Sequence, residues 1–346
     1  MYIIKPISKF NYEELNNFME NKISNLGHKI AISKNLKKNN LSFVLLSENK
    51  IKAFCPMFFE NKFSNKKKWK QGSLFGLSLP GLIISNNIDS KEFRKIVSLV
   101  LNEIDKLSLK HSISKIQICF SDLVNFDLES EKNQILYRLL LEYKYLNISL
   151  TGNRIDLKKD INIIAKSMSK GHKSIISKNK YKVLFYNYES KKLSFEIFLN
   201  LVEKLVDYED QVPLLFEMYN KCILEFAEVF NKETKVAYGV FCKINNTVEY
   251  YVSKSINQDI DCHHTMIYEA IKKYKNDRYN YLDLGVISYG PQLHYLPSKK
   301  NFNISVFKRG FKGKNYPFVI FEKFYSKKIF KDLQTERLEN FTNQLN

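Results

Sequence analysis

Apolar and polar positions follow two periods along this chain, of two residues and of about three and a half. In the first half, residues 1–4, 41–46, 51–59 and 113–120 read as strands, and residues 47–50 supply the turn of a hairpin between the second and third. Helical spacing governs residues 12–23, where Leu15, Phe18, Met19 and Ile23 share a face. It recurs over 90–109 through Phe93, Ile96, Val97, Val100, Leu101, Ile104 and Leu107, and over 131–145 through Ile135, Leu136, Leu139, Leu140 and Tyr143. The apolar run 74–84 is broken by Gly76 and Pro80-Gly81, and a further strand begins at 148–157. The second half opens with a helix over 161–177, a strand over 181–188 and helices over 194–208 and 213–230. A second hairpin, 236–244 and 248–253, turns at Asn245-Asn246; Val236, Tyr238, Val240, Cys242 and Ile244 line one face of its first strand. A helix over 263–274, strands over 281–284 and 318–325, and an amphipathic tail from 327 complete the pattern.

Strands alternating with helices throughout predict an α/β or α+β protein, with mixed sheets flanked by helices. In each half a strand, a turn and a longer strand lead into a long helix and a further strand, so the pattern is that of an internal duplication. No low-complexity linker separates the halves, and the boundary is expected near 150–160, giving domains 1–155 and 156–346. With 346 residues, 44% of them hydrophobic, each half can bury a core. No window approaches ~20 consecutive apolar residues, so no membrane-spanning helix is expected. Residues 1–6 are too soon broken by Lys5-Pro6 to read as a leader, so the protein is expected in the cytoplasm.

Charge changes the picture more than composition does. The chain carries +19, with Lys in excess: only six of its 55 basic residues are Arg. A nucleic-acid reader leans on the bidentate guanidinium, so a Lys-rich balance argues for a positive field that attracts anionic substrates or membrane surfaces in general. Lys62, Lys66, Lys67, Lys68 and Lys70 surround Phe63 and Trp69 in a predicted loop, a composition suited to peripheral contact with an anionic membrane. The five cysteines are scattered, without a CxxC, and read as buried hydrophobes.

Candidate chemistry is sparse. Cys262, His263 and His264 are adjacent and diverge around a helix, with no second cluster at zinc spacing, so no metal is assigned. Neither GxGxxG nor GxxxxGK[ST] occurs. Lys308 and Arg309, between Phe307 and Phe311, can hold a phosphate or stabilise an oxyanion. Strand-like alternation puts the two on opposite faces and favours Lys308. Asp283 ends a strand, where a base or an amine-orienting group is expected. Lys170 and Lys173, three apart on a helix with His172, can grip one anion. Tyr251 can line a substrate groove, and His294 sits in a polar-aromatic loop with the breakers Gly290-Pro291.

Several segments, in order, resemble the FemABX-like branch of the GNAT acyltransferases. Residues 166–183 resemble the basic helix and strand that open that family's second half. Tyr238–Ile244 and Glu249–Lys254 resemble its central hairpin, and His263–Tyr274 the following helix. Tyr281-Leu282-Asp283-Leu284-Gly285 is similar to its Y-x-D-F-G strand end, and Val306-Phe307-Lys308-Arg309-Gly310-Phe311 to its F-K-x-x-F-G segment. In the first half Pro56-Met57 and Ser78-Leu79-Pro80 resemble its P-L and S-L-P strands. His172 and Lys173 stand where the family often has Arg, and no long heptad stretch provides a coiled-coil arm. The resemblance implies two tandem GNAT-like domains and no bound cofactor. The donor would be acyl-CoA or aminoacyl-tRNA, and the acceptor a nucleotide- or lipid-linked sugar or a peptidoglycan precursor. Lys308 would contact the substrate's phosphate. The charge by itself leaves open a non-catalytic protein that binds nucleic acid or an anionic membrane.

Overall fold

The computed structural model describes residues 1–19, 26–33, 39–64, 67–74, 77–120, 130–178, 180–202, 211–256 and 261–343. Contacts divide the chain into two compact units. The first comprises Met1–Leu150, Pro291–Leu296 and Pro317–Asn346; the second comprises Thr151–Gly290 and Pro297–Tyr316.

The first unit begins with β1 (Tyr2–Pro6), α1 (Tyr12–Met19), α2 (Leu26–Ala31), β2 (Phe43–Ser47), β3 (Lys50–Cys55), β4 (Glu60–Ser64) and β5 (Lys67–Gly72). It continues through β6 (Leu79–Pro80), β7 (Ile83–Ile84), α3 (Ser90–Lys110), β8 (Lys115–Cys119), α4 (Glu131–Glu142) and β9 (Leu146–Asn147). Helix α3 starts where the Asp89 carboxylate accepts from the Glu92 amide at 2.7 Å, and it buries Phe93, Ile96, Val97, Val100, Leu101 and Ile104, the stripe its spacing predicts. One sheet has the order β1-β2-β3-β7. The second contains β4-β5-β8, then β17 (Ile320–Phe324), then β9. Sequence assigns the C-terminal segment to the second half, but β17 inserts antiparallel between β8 and β9, so that segment groups with the first unit.

The second unit runs β10 (Leu150–Asp156), α5 (Ile161–Ser167), α6 (Lys170–Ser177), β11 (Tyr181–Tyr186), α7 (Phe195–Val202), α8 (Val212–Asn220) and β12 (Leu224–Asn231). There follow β13 (Thr234–Ile244), β14 (Thr247–Ser255), α9 (Asp261–Asn276), β15 (Tyr281–Ile287), α10 (Lys299–Gly310) and β16 (Lys314–Phe318); the chain then returns to β17 and ends in α11 (Lys327–Thr342). The seven strands of this unit have the order β11-β12-β13-β14-β15-β10-β16. Helix α9 covers the sheet with Met266, Ile267, Ala270, Ile271 and Tyr274, all fully buried. Met266, Ile267 and Ile271 each contribute about 1.5–3 kcal/mol relative to exposure, and the Ala270 methyl less than about 1 kcal/mol.

Four local expectations change. The helix expected over 161–177 is two helices: Met168 is extended, and the Ser169 hydroxyl caps α6 by accepting from the His172 amide. The helix expected over 213–230 ends at Asn220, and its remainder is strand β12. Residues 306–310, read by alternation as strand, are the last turns of helix α10, whose cap is Ser298. The lysine-rich loop is largely the hairpin β4–β5: Phe63 is exposed, Lys68 lies over its ring, and Trp69 is half-buried, while Lys66 falls outside the described residues. Among the described residues no helix is long and apolar enough to cross a membrane.

Candidate functional site

A fork in the second unit's sheet builds the site. Strands β14 and β15 pair in parallel at Thr247 with Tyr281, Val248 with Leu282 and Glu249 with Asp283; beyond that level they run on without pairing to each other. A bulge in each strand accompanies the parting. In β14, Tyr250 pairs with Phe241 and Val252 with Val240, which leaves Tyr251 as the extra residue. In β15, Leu284 and Gly285 together oppose one residue of β10. Bulges bend a strand and re-aim its side chains. Gly285 takes φ +74°, a left-handed backbone that a side chain would strain, and its amide donates to Asp283 Oδ1 at 2.7 Å.

The residues at the fork form one electrostatic cluster. Asp283 accepts from Gly285 through Oδ1 and from the Tyr316 hydroxyl through Oδ2, at 2.6 Å. Burial raises its pKa, while Tyr316, Gly285, Lys308 and Arg154 pull it back down. Arg154 lies over the rings of Tyr281 and Tyr316, at 4.7 and 5.1 Å. Glu249 is half-buried beside Asp283; burial and then the neighbouring Asp283 charge push its pKa up to about 7, against the pull of Lys308. Lys308 reaches into the fork from α10 and donates to the Val286 carbonyl at 3.2 Å. Its pKa is lowered by burial, with Asp283 and Glu249 holding the proton on. An ammonium with one donor used has two left for a ligand.

The residues named from sequence divide into three groups. Asp283, Lys308 and Tyr251 come together at the fork, and burial followed by the Glu249 charge raises the Tyr251 phenol. Arg309 and His172 are occupied structurally. Arg309 donates to the Ser288 carbonyl at 3.1 Å and lies over Tyr289 and Phe302, which fastens the end of β15 to α10. His172 is buried. Its Nε2 meets the Phe307 carbonyl at 2.8 Å and its Nδ1 meets the Ser169 hydroxyl at 2.9 Å, so both ring nitrogens have partners within the protein. Its ring packs against His264, Phe307 and Phe311, and a Cβ on Gly310 would come within 1.9 Å of it, so only glycine fits there. The third group lies elsewhere. Lys170 and Lys173 are exposed on α6, Lys173 donating to the Lys166 carbonyl. His294 belongs to the first unit, where burial lowers its pKa beside Ser149 and Arg337.

Sequence reasoning missed Glu249, Tyr316 and Arg154. A signal for Glu249 existed: it is the one acidic residue in the apolar run Val248-Glu249-Tyr250-Tyr251-Val252. Among the described residues no group of three or more His, Cys, Asp or Glu converges as a metal site.

No family model and no curated protein matches the sequence. The structure does match solved ones. FemX is 11% identical, with 96% of this chain and 100% of that one covered and a TM-score of 0.61. L-PGS from Bacillus licheniformis is 12% identical over 95% and 96%, with a TM-score of 0.55. A tandem GNAT protein from the clavulanic acid biosynthesis pathway is 8% identical over 94% and 98%, also at 0.55. At such identities the likeness is one of fold: the chain has the FemABX-like, tandem GNAT-like fold that its ordered motifs imply.

Proposed function

We propose that this protein is an acyltransferase whose second unit moves an acyl or aminoacyl group onto an amine at the β14–β15 fork. The observation that carries this reading is the place of the half-buried Glu249, opposite Asp283 at the last paired level before the strands part and within reach of the Lys308 charge; burial and Asp283 push its pKa up to about 7. A general base poised near neutral pH is what an ammonium acceptor requires. In this reading the acceptor loses one proton to Glu249, and its nitrogen bonds to the donor carbonyl carbon. Lys308 stabilises the oxyanion that develops. As the intermediate collapses, the bond to the donor sulfur or oxygen breaks, and the amine's second proton passes to the departing thiol or ribose hydroxyl. Asp283, held by Tyr316 and Gly285, positions Lys308 and serves as its counter-charge. The unpaired strand edges beyond the fork can receive an extended donor by backbone hydrogen bonds.

The finer assignment follows from the same resemblance and from charge. The donor is acyl-CoA or aminoacyl-tRNA. The acceptor is an amine on a nucleotide- or lipid-linked sugar of cell-surface glycan synthesis, handled in the cytoplasm or at the inner membrane face. The +19 charge favours anionic partners of this kind. The test is transfer followed by product mass, with acetyl-CoA and aminoacyl-tRNA as donors and UDP-linked amino sugars and a UDP-linked muramyl peptide as acceptors. Glu249→Gln should lower turnover about 10²–10⁴-fold, and Lys308→Met about 10²–10³-fold. Undiminished transfer by Glu249→Gln would remove the base from this scheme. Absence of transfer with every pair, together with salt-sensitive tRNA binding, would favour the non-catalytic reading.

A further inference from the structure

We propose that a second cleft of the same unit, walled by α5, α6 and α9, binds a soluble phosphate ester with a compact apolar body. The cleft has a volume of about 490 Å³, within the range of small-molecule sites. Two helices present matched stripes to it: Lys173, Ile176 and Ser177 from α6, and Thr265, Tyr268, Glu269 and Lys272 from α9. Ala165, Lys166 and Met168 close the end. Met168 belongs to the unit's core, and Ile176 and Tyr268 pack against it, but none of the lining residues belongs to the cluster at the fork.

Three features fix the ligand class. The first is charge. Lys166, Lys173 and Lys272 line the cleft against one acid, Glu269, which pairs with Lys272 at 2.8 Å, so the lining carries three positive charges less one, or +2. A phosphate monoester carries about −1.5 to −2 at neutral pH. The second is the apolar surface of Ala165, Met168, Ile176 and the Tyr268 ring, over which Lys272 lies at 4.5 Å. Inorganic phosphate would leave that surface wet. The third lies in the floor: Thr265 is 2% exposed, and its buried hydroxyl has no hydrogen-bond partner. Such a group costs about 1–3 kcal/mol until something bonds to it, so a ligand oxygen there gains from it directly.

The test uses the whole chain with labelled methionine and isoleucine methyl groups, titrated with phenyl phosphate and, separately, with inorganic phosphate and benzyl alcohol. Phenyl phosphate should shift the Met168 and Ile176 methyl signals saturably, and each of the other two should bind at least about tenfold more weakly. Lys166→Gln with Lys173→Gln, both exposed and so harmless to folding, should weaken phenyl phosphate by about tenfold or more. Thr265→Val should weaken it further while leaving benzyl alcohol unchanged. Unmoved Met168 and Ile176 signals, equal binding by the double variant, or equal affinity for inorganic phosphate would each overturn the proposal. The Glu249 assay is unaffected by any of these results, so the two readings stand or fall separately.

Discussion

Each unit holds a glutamate out of bulk water, and the two are treated in opposite ways. In the first unit Glu322, on β17 between β8 and β9, is fully buried. It receives two bonds from the Arg337 guanidinium, at 2.6 and 2.9 Å, and an ion pair from Lys115 at 2.8 Å. Burial works to raise its pKa, but Arg337 and Lys115 overcome that and hold it below the usual carboxylate range. In the second unit Glu249 has one cation nearby, a second carboxylate beside it and a pKa raised to about 7. A carboxylate with every lone pair matched is a structural member. One kept short of partners can still take a proton from something that arrives.

The largest effect that sharpens this contrast is Glu322→Gln. It leaves the buried Lys115 and the half-buried Arg337 facing a neutral amide, and breaking a buried set of this kind costs up to about 3–5 kcal/mol. Urea unfolding should show the loss in the transition of the first unit, because β17 joins β8 to β9 there. A loss below 1 kcal/mol would mean that the triad is replaceable and would blunt the comparison. Next in size is Gly310→Ala. The added methyl collides with the His172 ring, which must move or push α10 away, at a cost of roughly 1–3 kcal/mol. Since Lys308 is two residues away on the same helix, turnover should fall while the affinity of the cleft at Lys173 stays the same. Unchanged turnover would show that His172 merely packs and does not place Lys308.

How far all this was legible depended on where the deciding contact lies along the chain. Helix α3 was readable because it buries one face that repeats at its own period; strand β13 is buried on both faces, and it was readable because the Asn245-Asn246 turn marks its end and β-branched and aromatic residues fill it. Strand β12 was read as helix because six consecutive residues from Leu224 to Val229 are buried, and a strand covered on both faces loses its alternation. The end of α10 misled for the opposite reason: five residues fit either period, and the helix is decided upstream by the Ser298 cap. At the site, Asp283 and Lys308 stood in recognisable segments. Glu249 gains its meaning only from lying opposite Asp283 across a parallel pair joined through α9, a relation that spacing along the chain does not express. His172 looked available because a histidine on a basic helix looks exposed, and only the close approach of Gly310 shows it to be enclosed.

The smallest expected effect separates the two glutamates most directly, because pH acts on them with opposite sign. Glu249 has its folded pKa near 7, above its ordinary 4.5. Between those values the folded chain binds a proton that the unfolded chain has released, so its contribution to stability is lost as pH rises through that window. Glu322 has a depressed pKa, so its contribution is present above the ordinary value and is lost as pH falls through the folded one. Glu249→Gln, which cannot ionise, should therefore match the parent in stability at about pH 5 and exceed it at about pH 8. The gain is on the order of 1 kcal/mol once the solvent that still reaches the carboxylate is counted. Urea midpoints for both proteins at the two pH values measure it. A gain at pH 8 that vanishes at pH 5 identifies a carboxylate held ionised against its surroundings. A loss at both would mean that Glu249 is a paired structural acid like Glu322, and the base in the transfer scheme would then have to be sought elsewhere at the fork.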